Sequence, residues 1–191
     1  AADMAFRSTS PLPEDYLTSA TNQGLRVAKT ISFLSMALAN NDNLLASIKA
    51  TTSTYPLRGT VVLKDFKGEV LSNEKGTPNS GYIWVEPKLV EALNLKQNDQ
   101  LVIGNTSFVV EAILDDYPDR NVGFLAFSPT IITNIADLKS MGVIQTGSRV
   151  VYRQLFSGTV NQVNLFFDSV SNLPEEVRVQ RLDEVGDQLG R

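Results

Sequence analysis

Three aspartates, Asp115, Asp116 and Asp119, crowd into one turn of this 191-residue chain and are its nearest approach to a metal cluster. Clustered carboxylates suit a hard cation, but the glycine and the closing bidentate glutamate of a calcium loop are missing. The stretch therefore reads as a solvated turn, and no metal site is expected. Four glutamates, Glu69, Glu74, Glu86 and Glu91, offer acids for glycoside chemistry, which needs two of them at a set separation across one cleft. Nothing in the sequence fixes such a separation. The glycines between 68 and 81 form neither a nucleotide-binding P-loop nor a G-x-G-x-x-G turn. The chain has no histidine and no cysteine, which removes thiolate and imidazole metal sites, cysteine nucleophiles, disulfides and every Ser-His-Asp triad together. No catalytic or cofactor-binding residue is expected, and the chain does not read as an enzyme.

What remains are residues suited to contact. Ser148-Arg149 and Tyr152-Arg153 place two cations near an aromatic. They suit an acidic partner, or an exposed strand face with the arginine stems packed on the sheet. Tyr82 and Trp84 share one face of a strand, where core packing competes with a ligand groove or a partner contact. Phe108 and Phe124 join Trp84 as the lining expected of a pocket, should one form between two lobes.

The elements that position these residues follow from periodicity. In 81–114 an aromatic and β-branched strand, Tyr82–Val85, leads to Pro87 at a first helical position, with Leu89, Val90 and Leu93 on one face and Asn94 as the stop. Leu101 and Ile103 then alternate up to Gly104-Asn105, and Phe108, Val110, Ala112 and Leu114 alternate back, which is a hairpin. Before this unit, residues 2–7 predict a first strand, and Pro13 opens a helix carrying Tyr16, Leu17 and Ala20 that Gly24 ends. Residues 25–39 are extended, with apolar residues changing parity near Phe33. That predicts a bulge or a change of buried sheet face. Asn40 to Asn43 turn the chain into a partner strand through Leu44, Ala46 and Ile48, and 60–66 make another strand. The Gly, Ser, Asn and Lys-rich segment 67–80 reads as an irregular, mobile arm. After the hairpin, Val122, Phe124 and Ala126 alternate as a strand would, and Asn134 caps a short helix that Gly142 ends. A β run over 149–156 follows. Thr159 then caps a helix with Val160, Val163, Phe167 and Val170 on one face, Pro174 stops it, and Val177 and Val179 form a closing strand before a polar tail at 183–191.

The pattern is α+β, with mixed or antiparallel strands and a few helices. Two lobes are expected, an inserted one over 59–118 and an outer one from 1–58 plus 119–191. With 42% hydrophobic and 20% charged residues the composition is that of a globular chain, and at this length roughly 70% of the unfolded surface can be buried. The net charge of −4, with basic residues scattered singly, gives no footprint for nucleic acid or anionic lipid. No run reaches a membrane span and no signal sequence opens the chain. A start at Ala1 rather than Met reads as an excised domain or a processed chain.

The order W-V-x-P-x-L, then L-x-x-x-D-x-L-x-I-G, then F-x-V-x-x-I-L within 84–114 resembles the core of the extracytoplasmic domain of FtsX-type and MacB-type ABC transporter permeases. Tyr55-Pro56-Leu57-Arg58-Gly59, Phe127-Ser128-Pro129, Asn134-Ile135-Ala136-Asp137-Leu138, Gly142-Val143-Ile144-Gln145 and the run from Gly147 to Arg153 are similar to the YbbP-like branch. The resemblance covers about 3–181 and lacks every membrane span. It implies a MacB periplasmic core-like fold and a bacterial periplasmic domain between two membrane helices of an inner-membrane permease, relaying ATP-driven motion. The implied partners are a cytoplasmic ATPase subunit reached through the membrane part, a periplasmic protein, and a large or hydrophobic substrate. A free-standing periplasmic ligand- or protein-binding module is the alternative, and a carboxylate-dependent hydrolase a third class that needs two converging acids. Flanking membrane helices would decide for the permease.

Because the phosphate loop is missing, this chain should show no saturable binding of ATP in magnesium buffer by calorimetry. A saturable isotherm would contradict the reading.

Overall fold

A computed structural model describes residues 1–72, 75–170 and 172–181 of the chain. Among these residues eleven strands join one sheet. They are β1 (Met4–Ser8), β2 (Arg26–Ala39), β3 (Asp42–Thr51), β4 (Val62–Lys64), β5 (Val70–Leu71), β6 (Tyr82–Val85), β7 (Gln100–Ile103), β8 (Thr106–Asp116), β9 (Thr130–Asn134), β10 (Val150–Ser157) and β11 (Arg178–Arg181). Four α-helices accompany them, α1 (Asp15–Asn22), α2 (Pro87–Leu93), α3 (Leu138–Met141) and α4 (Val160–Ser169). The α+β expectation therefore holds.

The sheet closes on itself at one end. β2 pairs β3, β3 pairs β9, β9 pairs β6, β6 pairs β8, β8 pairs β7, and β7 returns to β2 at Ala37↔Ile103 and Leu38↔Val102. This six-stranded ring removes the edges that an open sheet would leave. Its interior is the largest core, with Phe33, Ala37, Ile48, Ile83, Leu101, Phe108, Val110 and Ile131 packed together, and Leu89 and Leu93 of α2 and Met141 of α3 entering it. Asn40, in the β2–β3 turn, donates to the last carbonyls of the plug helix, Leu93 O at 2.9 Å and Asn94 O at 3.0 Å. That supplies the donor that a helix C-terminus lacks. At the β7–β8 turn Gly104 has φ +58°, and a Cβ there would lie 2.2 Å from Met141 O, so both the turn and the close approach require glycine.

Beyond the ring the sheet stays open as β2, β10, β1 and β11. α1 and α4 cover one face of it, burying Phe6, Phe156 and Phe166 in an aromatic cluster. Thr159 and Gln162 form a reciprocal capping box at the start of α4. The buried face of α4 is Val163 and Phe166, with Phe167 and Val170 partly packed, whereas Val160 is exposed.

β2 crosses between the two regions with its register unbroken from Arg26 to Ala39. The parity change in its sequence is therefore no bulge. Ala28, Thr30 and Ser32 are buried on one face and Phe33, Ala37 and Ala39 on the other, as the covered side changes along the strand. β8 does the same by a bulge: Ile83 faces Val110 but Trp84 faces Ala112, leaving Glu111 extra. Phe108 and Val110 thus line the ring interior, while Ala112 and Leu114 face the second core with Trp84, Tyr55 and Tyr117.

Three expectations change. The two-lobe division does not appear as two cores, because β6 and β7 of the 59–118 segment pair with β9 and β2, and its buried side chains share clusters with both flanks. Within the segment 67–80, Val70–Leu71 pairs with β4 as a short hairpin and the described residues 75–80 are fastened to the body. Thr77 bonds Thr51 Oγ1 and Thr52 O, both at 2.7 Å, and a Cβ on Gly76 would lie 2.1 Å from Tyr55 O. Val122, Phe124 and Ala126 lie in or beside a 3-10 helix, Gly123–Phe127, not a strand, since only Leu125 of that helix is buried and no sheet face exists for the alternation to fill. Glu74 and the tail at 183–191 lie outside the described residues.

Phe108→Ala should lower the unfolding free energy by about 3–5 kcal/mol, while Leu45→Ala on the outer wall should cost less than about 1 kcal/mol, in urea titrations. Equal costs would mean that the ring interior is not the main core.

Candidate functional site

The outer wall of the ring is covered in part by the segment 117–129, which links β8 to β9. Leu125 O accepts from Ser47 Oγ at 2.5 Å and Pro118 O from Tyr55 Oη at 3.1 Å, while Tyr117 Oη meets Thr130 Oγ1 at 2.9 Å. Beneath this flap lies Lys49 of β3, almost fully buried. Its Nζ donates to Asp119 O at 3.1 Å and stands 5.9 Å and 5.8 Å from the ring centres of Tyr55 and Tyr117. The Asp119 carboxylate accepts from Ala1 N at 3.1 Å and sits 3.1 Å from Arg153 Nη1. Arg153 Nη2 donates to Gln180 at 3.2 Å, and its buried Nε has no acceptor among the described residues.

The electrostatics follow from burial. Desolvation depresses Lys49 to about 8, with Asp119 opposing the shift and Arg153 adding to it. Burial alone would raise the Asp119 carboxyl, but Arg153, Lys49 and Ala1 more than offset it and hold it below its ordinary value. Tyr55 and Tyr117 are both pushed up, chiefly by burial. A cavity of about 170 Å³ opens beside this group, with Arg7, Lys49, Asp119, Arg153 and Gln180 on its walls.

Arg153 thus reaches a site, by way of Asp119 and not an aromatic. Arg149 stacks on Phe124, its guanidinium 4.1 Å from the ring centre, beside a separate cavity of about 250 Å³ with Phe33, Leu34 and Ile144. Trp84 is buried in the second core, where its Nε1 donates to Glu111 at 2.9 Å, and Phe108 is buried inside the ring. Trp84, Phe108 and Phe124 therefore line no common pocket. Tyr82 is exposed at the start of β6. The three aspartates are not one solvated turn: Asp115 pairs with Lys64, Asp116 with Arg120, and Asp119 is half-buried and paired with Arg153. Glu86 accepts from Thr130 N at 2.8 Å, while Glu69 is exposed in the β4–β5 loop and Glu91 on α2. Sequence reading missed Lys49. Its signal was a lysine at the parity of Ser47 and Thr51 in a strand otherwise free of charge after Asp42, all three on the outer face that the flap covers.

Past Ser32 and Ser47 the flap ends, and the same outer face continues bare. Met36, Leu38, Leu45 and Val102 are each 37–45% exposed there. Met36 faces Leu45 and Leu38 faces Val102 in register, so the four form one apolar patch. At the other end of β2 the first and last described strands lie side by side, Met4 opposite Arg181 and Arg7 opposite Arg178. Asp3 fastens the start of β1, accepting from Arg58 at 3.1 Å and 3.0 Å, from Ser157 Oγ at 2.7 Å and from Gly158 N at 3.0 Å.

No protein-family profile matches the chain. Over 165 residues it is 31% identical to the uncharacterized ABC transporter permease YbbP of Escherichia coli (strain K12), a match that covers 86% of this chain and 19% of that protein. The chain thus spans less than a fifth of its relative's length. Its fold is similar to the periplasmic region of MacB from Actinobacillus actinomycetemcomitans, with TM-score 0.60 and 12% identity over 99% of this chain and 93% of that one. It is also similar to the extracellular domain of the noncanonic ABC-type transporter YknZ from Gram-positive bacteria, with TM-score 0.56 and 12% identity over 93% and 100%.

Lys49 binds its proton more weakly folded than unfolded, where the ordinary value is 10.5. Between about 8 and 10.5 the unfolded chain holds the extra proton, so stability rises with pH in that window. Raising pH from 8 to 9.5 should stabilise the protein by about 1–2 kcal/mol in denaturant titrations, and Lys49→Met should remove that rise. A parallel slope in the variant would place the titrating group elsewhere.

Proposed function

We propose that the chain is an extracytoplasmic domain of an ABC transporter permease and works in the periplasm as part of it, engaging a periplasmic protein and relaying motion driven by a cytoplasmic ATPase; its 31% identity to a permease and its MacB-like fold support this reading. The observation that carries this reading is the side-by-side placement of the first and last described strands, β1 and β11, near one end of β2. Met4 and Arg181 lie opposite each other on these antiparallel strands, which suits an insertion between two adjacent membrane helices. Strands are stiffer than loops, and β1 is hydrogen-bonded through β10 to β2, so a displacement of either helix enters the sheet directly. β2 then carries it about 45 Å, at 3.3 Å per residue, to the turn at Asn40.

At that far end sits the apolar patch of Met36, Leu38, Leu45 and Val102. Contiguous apolar surface bounded by polar residues marks interaction sites on soluble domains. Here Asn40, Asn41, Asp42 and Asn43 supply the polar boundary. A protein partner fits this patch better than a small hydrophobic cargo, because the patch is a strand face and not an enclosed cavity.

In the full-length protein, Met36→Asp with Leu38→Asp should abolish retention of the periplasmic partner in envelope co-purification. The same pair should leave the stability of this domain within about 1 kcal/mol, because both residues are on the surface. Retention of the same partner by the double variant would contradict the reading.

A further inference from the structure

The cavity beneath the flap has a charge balance that the described residues on its walls do not close. Arg7, Lys49 and Arg153 line it with the single carboxylate of Asp119, on which Ala1 N also rests from outside the cavity, so the walls hold three unshared cations to one anion. Arg120 also reaches it but is paired with Asp116 at 2.9 Å. Arg153 of β10, Arg7 of β1 and Arg178 of β11 stand in one register row, each directly opposite the next. Like charges so placed repel, so a row of three guanidinium groups costs stability that a bound counter-charge would relieve. Among the described residues Arg7 and Arg178 have no carboxylate partner, and the buried Arg153 Nε has no acceptor. Lys49 adds a further charge at the floor, where a neutral side chain would avoid the cost of burial.

We propose that this cavity is a binding site for a phosphate group, held by Arg7, Arg153 and Lys49. The excess of two positive charges matches a phosphate monoester, which carries about −1.5 to −2 at neutral pH, whereas a single carboxylate would leave one cation uncompensated. Guanidinium forks suit its oxygens, and Lys49 supplies a point charge below them. The volume of about 170 Å³ holds the charged group and some water. It falls short of the roughly 300 Å³ of pockets that enclose a whole drug-sized ligand, so the remainder of the ligand stays outside the flap. This inference rests on the cavity alone and stands apart from the permease reading.

Inorganic phosphate, titrated into the chain by calorimetry at constant ionic strength, is the direct probe. Saturable binding is expected, with acetate giving none. Arg7→Gln, at a half-buried position, should weaken it at least about tenfold, as the loss of a charge-assisted contact does. Lys49→Met should do the same and decides the matter if the arginine variant fails to fold by circular dichroism. Co-flotation with vesicles containing phosphatidic acid, against phosphatidylcholine alone, separates the sources. Flotation that inorganic phosphate competes away indicates a lipid headgroup, and phosphate binding without flotation indicates a soluble monoester other than magnesium-bound ATP, whose terminal phosphate the metal already neutralises. Absence of saturable phosphate binding by the folded wild type, or unchanged affinity in both variants, would overturn the proposal.

Discussion

β2 is the constraint on which the remaining structure depends. One uninterrupted strand of fourteen residues gives its first half to β10 and the open sheet and its second half to the ring, where β3 and β7 flank it. Because its register never slips, its side chains keep alternating faces, and each face must serve different surroundings along the strand. Toward the start, Ala28, Thr30 and Ser32 are small enough to lie beneath the chain that crosses them. Toward the end, Phe33, Ala37 and Ala39 point into the ring, with alanines where the interior is crowded. The outer face is then left to Met36 and Leu38. The exposed patch follows from where the flap stops, as the buried polar group follows from where it lies.

That arrangement explains which elements the sequence discloses. α1, α2 and α4 carry local signals, Pro87 at a first helical position, Asn94 with φ 50°, and the Thr159–Gln162 box, and local signals survive in any tertiary setting. The β7–β8 hairpin is equally local. β9 carries no such mark: Thr130–Asn134 is five residues without alternation, and its place between β3 and β6 is fixed by partners distant in sequence. Ring closure has the same non-local origin, which is why 59–118 reads as a separate lobe from the sequence and is not one. Lys49, Asp119 and Arg153 come from three elements seventy and more than thirty residues apart, and no spacing rule joins them. Of the contact residues picked from sequence, Phe124 with Arg149, Arg153 and Tyr82 reach the surface or a cavity, whereas the burial of Trp84 and Phe108 follows from their aromatic bulk.

The two ends of the molecule divide the labour. One holds both ends of the described chain, pinned by Asp3 and by the β1–β11 pair; the other presents apolar surface. The cationic cavity lies between them, where the flap rests on the open sheet. A group bound there would bridge Arg7 and Arg153 of the open sheet to Lys49 of the ring. It would therefore stiffen the junction through which any displacement has to pass.

The central claim is that the strands next to the chain ends and the ring form one mechanically continuous sheet through β2. Residue-resolved amide hydrogen exchange tests it most directly, since exchange reports the free energy of opening at each position. The account predicts that amides of β1 and β10 exchange with the same free energy as those of β3 in the ring, close to global unfolding. Exchange of β1 and β10 through a separate low-energy opening, while β3 stays protected, would contradict it.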